Sequence, residues 1–129
     1  EDMQNQTNYE DLLVEIVDFL APRIEQLTLA GQHDIVIDPG FGFGKTVSQN
    51  YELLNRLEEL FLFDRPILAG VSRKSMIWKP LGIQPDTALN GTTALHMAAL
   101  ERGASILRVH DVAPAKEVVE LFLLLSSTD

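Results

Sequence analysis

At 129 residues, 46% hydrophobic and 22% charged, the chain has the composition of a soluble globular domain large enough for a real core. It contains no cysteine, which excludes a disulfide framework and a thiolate metal site. A formal net charge of −9 opposes binding to nucleic acid and to anionic membrane surfaces, and no apolar run approaches the roughly 20 residues that span a bilayer. The polar, acidic first residues carry no signal-peptide pattern, so a cytoplasmic protein is expected.

Residues 1–6 are polar and read as a loose start. Thr7 stands three residues before Glu10, the spacing of a capping box, and Leu12, Leu13, Ile16, Val17, Leu20, Ile24 and Leu27 follow at helical spacing. Pro22 predicts a kink or a split in that helix, because proline lacks an N–H and crowds the preceding turn. Gly31 closes it. Residues 35–37 form a short buried strand, Asp38-Pro39-Gly40 ends it, and the glycine-rich run to Lys45 is loop. Ser48 or Asn50 caps the next helix, with Leu53, Leu54, Leu57, Leu60 and Phe61 on its inner face.

After a turn at Asp64-Arg65-Pro66, residues 67–71 make a second strand. Residues 72–89 hold Pro80, Gly82 and Pro85 and read as loop with one helical turn. A helix over 92–102 is closed by Gly103, and 105–109 make a third strand. Pro114 suits the first turn of a last helix, which carries Val118, Val119, Leu121, Phe122, Leu124 and Leu125.

The order α-β-α-β-α-β-α, with strands roughly 30 to 40 residues apart, is that of βαβ crossovers and predicts a parallel α/β architecture. The strands are continuous apolar runs, so both of their faces should be covered. Pattern alone leaves a doubly wound sheet and a (β/α)8 TIM barrel open. Polar residues gather where each strand ends: Asp38; Ser72, Arg73 and Lys74; Arg108, His110 and Asp111. Barrels build active sites there, which favours the barrel. Three strands cannot close one, so on this reading residues 1–129 are a single partial domain.

Lys45, Arg73, Lys74 and Arg108 lie within the same motif runs, a cationic cluster on an acidic chain, and point to a small anionic ligand. The run DPGFGFGKT at 38–46 fails as a phosphate loop, because Pro39 stands where glycine is needed. Its G-x-G-x-G spacing also fails as a dinucleotide fingerprint. What remains is a loop exposing backbone N–H groups and two rings after a strand-end carboxylate. Asp38 can accept two N–H donors from the guanidine-like edge of a heterocycle, with Phe43 or Phe41 packed on the ring; the alternative is that it caps local backbone.

Gly70 lets a ligand approach the second strand closely, and Lys74 can serve a carbonyl, a ring nitrogen or a phosphate. In Arg108-Val109-His110 the first and third side chains share one face. Arg108 suits bidentate recognition of phosphate oxygens, with Asp111 as its alternative partner, and His110 can donate to an oxyanion or protonate a leaving group. His33 and His96 are too scattered to form a metal constellation.

The segments IDPGFGFGK at 37–45, GVSRKSM at 70–76 and RVHDV at 108–112 resemble, in order and spacing, signature segments of the dihydropteroate synthase family. The resemblance spans nearly the whole chain. It implies the C-terminal part of a (β/α)8 barrel, from helix 5 through β6-α6-β7-α7-β8-α8. The implied reaction condenses 4-aminobenzoate with 6-hydroxymethyl-7,8-dihydropterin pyrophosphate, giving 7,8-dihydropteroate and pyrophosphate on the route to folate. Asp38 would then read the pterin edge, Phe43 would border the aminobenzoate pocket, Lys74 would reach the pterin, and Ser75 would lie near the aminobenzoate carboxylate. Arg108 would stack on the pterin and, with His110, hold the pyrophosphate.

Mg2+ would accompany the pyrophosphate, on a ligand residue outside this chain. With five strands missing, the chain alone should be inactive. Its exposed strand edge and helices should drive self-association, a homodimer first. Two rivals are a methyltetrahydrofolate-binding methyltransferase domain, which has no need of the Arg108–His110 pair, and a non-catalytic α/β binding module.

Overall fold

A computed structural model describes residues 2–127, with side chains from residue 12 onward. The chain folds as α1 (Asp2–Leu29), α2 (Val47–Asn55), a 3-10 helix (Leu57–Phe63), β1 (Leu68–Ala69), α3 (Ser75–Leu81), a 3-10 turn (Pro85–Thr87), α4 (Leu89–Glu101), β2 (Ile106–Leu107) and α5 (Val112–Ser126). Helix α1 passes through Thr7 without starting there, and the side chains of the expected capping box lie outside the described residues. It also runs unbroken through Pro22. Its far end is the expected glycine stop. Gly31 has φ 93°, its N–H reaches Thr28 O, and the N–H of Gln32 reaches Leu27 O, the paired bonds of a Schellman motif.

The strands are shorter than the apolar runs that announce them. β1 and β2 pair in parallel with Leu68 opposite Ile106, and Ile37 joins through a single parallel bridge to Ile67. The order of contact is therefore 37, then 67–69, then 106–107. Alternation puts Ile37, Ile67 and Ala69 on the helix-covered face, where all are buried. Val36 and Ile106 fall on the other face and are exposed, so the expectation that both faces are covered is corrected: the helices cover one face only. The same alternation assigns Asp38, Gly70 and Arg108 to that open face.

Helix α2 begins at Thr46, not at Ser48 or Asn50. Thr46 accepts the Gln49 N–H, and the Gln49 side chain accepts the Thr46 N–H, a reciprocal capping box. Leu53, Leu54, Leu57 and Leu60 are buried as expected, but Phe61 is exposed, because the helix tightens to 3-10 geometry after Arg56 and turns that ring outward. Residues 72–89 hold more order than a loop, with α3 and a 3-10 turn.

The core is one cluster around Phe41, Leu53, Leu57, Leu60, Ile67, Val71 and Met76, all fully buried. Each such side chain contributes about 1.5–3 kcal/mol by leaving water. Helix α4 packs on α5, α2 on α3 and α1 on α2. Of the apolar residues expected on α5, only Val118 is buried, while Leu121, Leu124 and Leu125 stay exposed. Among the described residues, no helix is long and apolar enough to cross a membrane. The architecture is α/β and consistent with a fragment of a barrel.

Candidate active site

Three strand ends meet on the open face. The parallel pairing carries Arg108 past Ala69, whose carbonyl accepts the Arg108 N–H at 3.1 Å. The guanidinium then lies over Gly70 and reaches Asp38, with Nη1 3.1 Å from Oδ2. A Cβ built at Gly70 would stand 2.6 Å from Arg108 Nη2, so the glycine is what lets the guanidinium lie against the strand. The close approach expected at Gly70 is thus occupied by a side chain of the same chain.

Asp38 divides its two oxygens. Oδ1 accepts the Gly40 N–H at 2.9 Å, and Oδ2 takes Arg108. The local cap and the outward-facing carboxylate are therefore both real. The pair is open, with Arg108 52% and Asp38 36% exposed in their side chains, so a ligand has access to both. Asp111 is not the partner of Arg108. It pairs with Arg73 through two bonds of 3.0 Å, and Arg73 also donates to Pro85 O. That pairing lowers the Asp111 carboxyl below its ordinary range, chiefly through the hydrogen bond from Arg73.

The glycine loop is held from inside. Asn50, buried, accepts the Gly42 N–H at 2.7 Å and donates to Thr46 O. Lys45 Nζ donates to Pro39 O, Gly40 O and Phe43 O at 3.3, 2.8 and 3.3 Å. Phe41 is core, whereas Phe43 stands 70% exposed. Lys74 Nζ donates to Phe41 O at 2.6 Å and lies 5.1 Å from the Phe43 ring centroid, within cation–π reach. Burial lowers the Lys74 ammonium from its ordinary range; Arg108 adds to this, Asp38 opposes it, and Lys45 adds a little more. Ser75 follows as the first residue of α3, half-buried.

His110 sits two residues beyond Arg108, with Nδ1 2.7 Å from the Ser72 hydroxyl. A cleft of about 120 Å3 is lined by Gly70, Ser72, Lys74, Arg108, Val109 and His110. It is smaller than the roughly 300 Å3 at which ligand pockets begin, so it suits one end of a ligand. A second crevice of about 500 Å3 runs between α1 and the glycine loop, bordered by Asp38, Phe43 and Lys45.

Asp38, Phe43, Gly70, Lys74, Ser75, Arg108 and His110 therefore come from three separated segments and gather around these strand ends. Sequence reasoning offered Asn50 only as a helix cap and Ser72 only as one of the polar residues at a strand end; their contacts with Gly42 and His110 depend on the fold, and nothing in their spacing marks them. Lys45, Arg73 and Lys74 all donate to main-chain carbonyls; of the expected cationic cluster, Lys74 and Arg108 line the strand-end cleft, and Lys45 borders the crevice beside α1. Among the described residues, no group of three His, Asp or Glu side chains is placed to hold a metal ion.

A parallel α/β segment with a carboxylate, a lysine and an arginine at its strand ends has the makings of a barrel-type binding site for a polar ring and an anion. Residues 1–110 match the family of pterin binding enzymes, and the chain belongs to that family. Its curated relatives are more particular. Dihydropteroate synthase of Escherichia coli K12 is 41% identical over 128 residues, 98% of this chain and 44% of the relative. The Haemophilus influenzae dihydropteroate synthase is 39% identical over 122 residues, 93% of this chain and 44% of the relative. The chain thus spans less than half the length of these relatives.

Solved structures agree. Yersinia pestis dihydropteroate synthase in a sulfonamide drug complex superposes with a TM-score of 0.89 at 39% identity, covering 92% of this chain and 44% of that one. The Coxiella burnetii dihydropteroate synthase in complex with pteroic acid gives 0.88 at 38% identity, covering 94% and 46%.

Proposed function

We propose that the chain is the C-terminal portion of a dihydropteroate synthase, its three strands being the sixth, seventh and eighth of a (β/α)8 barrel. The observation that carries this reading is the Arg108–Asp38 contact, which joins residues 70 apart at the mouth of parallel strands. A carboxylate for the pterin edge and a guanidinium for its face and pyrophosphate then stand side by side. The Arg108–His110 pair supports the synthase over a methyltetrahydrofolate-binding methyltransferase, which transfers no pyrophosphate.

In the mechanism, the bond between the pterin methylene and the pyrophosphate oxygen breaks, and the electron pair leaves with the pyrophosphate. Arg108, Lys74 and His110 stabilise that anion as its charge grows, which lowers the barrier directly. Asp38 holds the pterin by its N–H edge, so the cationic methylene stays in place. The 4-aminobenzoate amine attacks it and then loses a proton, with Phe43 along the ring of the incoming substrate and Ser75 near its carboxylate. Binding the pterin edge requires Arg108 to share Asp38, a rearrangement that their exposure permits.

Mg2+ belongs to the same reaction, but the described residues do not fit it: the donors facing the anion are cationic or neutral. Its ligand lies in the remainder of the parent. Without that remainder the chain is inactive, since half a clamp cannot align two substrates. A cytoplasmic setting and a dimer built on exposed helix faces such as Leu121, Leu124 and Leu125 complete the reading. The test is turnover of both substrates by the full-length protein and by the chain alone. Product from the full-length protein, none from it after Arg108→Ala, and none from the chain are expected; an inactive full-length protein overturns the reading.

A further inference from the structure

Ser72 is 4% exposed, and its hydroxyl makes two contacts among the described residues, both to His110. The His110 main-chain N–H reaches its oxygen at 3.2 Å. The ring Nδ1 lies 2.7 Å from the same oxygen. A hydroxyl has one proton and two lone pairs. The main-chain N–H can only donate, so it takes one lone pair. If Nδ1 also donated, the hydroxyl proton would find no other acceptor in contact among the described residues. The arrangement that satisfies each of these groups from within the chain has the Ser72 O–H donating to Nδ1, which in a neutral ring leaves the proton on Nε2.

We propose that Ser72 is a positioning residue that orients the His110 ring and, in the neutral imidazole, sets its proton on Nε2, so that the ring presents an N–H to an anion. The assignment deepens the proposed function and rests on it for the identity of the anion. Three chemical consequences follow for the neutral ring. A neutral Nε2–H imidazole is too weak an acid to protonate a departing pyrophosphate. Nor can its Nε2 take the proton of the attacking amine, because that position is already filled. The amine proton therefore leaves to water or to the released pyrophosphate, and the positive charge at the anion site comes from Arg108 and Lys74. The serine also fixes the ring plane by gripping His110 at both its main chain and its ring. This is the part played by the outer partners of metal-bound histidines, here applied to a histidine that faces a ligand.

The test uses the full-length protein labelled with 15N-histidine. Ring nitrogen–proton correlation spectra are recorded at about pH 8.5, where imidazole is ordinarily neutral. The His110 signal is identified by its loss in His110→Gln. The expected wild-type pattern has a protonated Nε2 and a bare Nδ1 as the single form. Ser72→Ala should give a mixture of tautomers, and Ser72→Thr, which keeps the hydroxyl, should restore the single form. A wild-type ring protonated at Nδ1 overturns the proposal, and so does a Ser72→Ala spectrum identical to wild type.

Titration of inorganic pyrophosphate separates this inference from the reading beneath it. Ser72→Ala should weaken binding about 3- to 10-fold, the scale of one hydrogen bond, and Ser72→Thr should recover most of it. Loss of binding in Arg108→Ala with no change in Ser72→Ala sinks the role of Ser72 alone. Unchanged binding in Arg108→Ala sinks the anion site, whatever the tautomer.

Discussion

The four cations of the motif segments end in two different situations. Lys45 and Arg73 are turned into the chain, the first onto three backbone carbonyls of its own loop and the second onto Asp111 and Pro85 O. Arg108 and Lys74 line the cleft at the strand ends; Arg108 keeps half of its side chain in solvent, and Lys74 makes one bond back to the chain, to Phe41 O. The two phenylalanines of the glycine loop divide in the same way, Phe41 fully buried and Phe43 70% exposed. Within one motif, then, neighbouring residues of the same type are either packed into the scaffold or left open at the strand ends. Their roles follow from what each side chain finds within reach, and residue type alone does not separate them.

The sharpest way to break that division is to exchange the roles of the two rings. Phe41→Ala should cost about 3–5 kcal/mol of stability, read by denaturant melting, because it opens a cavity in the core. Phe43→Ala should leave stability within about 0.5 kcal/mol, as exposed positions usually do, and weaken only the binding of the aminobenzoate ring. Equal destabilisation by both would show that the loop is one packed unit.

The cations give the next contrast. Arg108→Ala should reduce pyrophosphate affinity about 10- to 100-fold, the scale of hydrogen bonds to a charged group, with little change in stability. Arg73→Ala should instead loosen the tie between the β1 end and the start of α5, lowering the melting temperature while any effect on binding stays indirect. Gly70→Ala sharpens the comparison further. Its new Cβ would meet only the far end of the Arg108 side chain, so the fold should survive. The displaced guanidinium should lose about 10-fold in affinity for pyrophosphate by isothermal titration, one charge-assisted hydrogen bond misplaced.

The smallest effect is expected in acid, at a group on neither side of the division. His96 is buried on α4, its Nε2 lacks a partner, and burial lowers its pKa below the ordinary 6.5. The unfolded chain therefore binds a proton more readily than the folded one, so stability rises with pH across this window. Melting temperature should fall as pH drops below 6.5 and keep falling until the folded ring itself takes a proton. His96→Leu should flatten that slope; an unaltered slope would place the acid sensitivity elsewhere.

Much of the architecture was legible because it rests on local chemistry. Gly31 and Gly103 stop their helices as expected, since both sit at positive φ where other residues are strained. Apolar runs located both strands and the single bridge at Ile37 but overstated their length, because hydrogen-bonded pairing needs a neighbour and β2 has one on one side only. The motif residues were legible as a set, yet partners were not. Asp111 looked like a mate for Arg108, three positions away, but those residues follow different courses: Arg108 stays on the open face, and Asp111 turns away to start α5. Asn50 was read as a helix cap, while its side chain supports Gly42 across the loop. No local pattern announces a contact of that kind.

The parallel pairing has a kinetic side. Ser72 meets His110 across 38 residues, and Asp38 meets Arg108 across 70. Parallel strands have no hairpin to bring them together, so each meeting must wait for a long loop to close, and contacts of such sequence separation form slowly. The helices can form early from local contacts, whereas the ligand-facing residues come into register only after the strands they follow have docked. On these grounds the contacts at the strand ends are expected to be among the last to form.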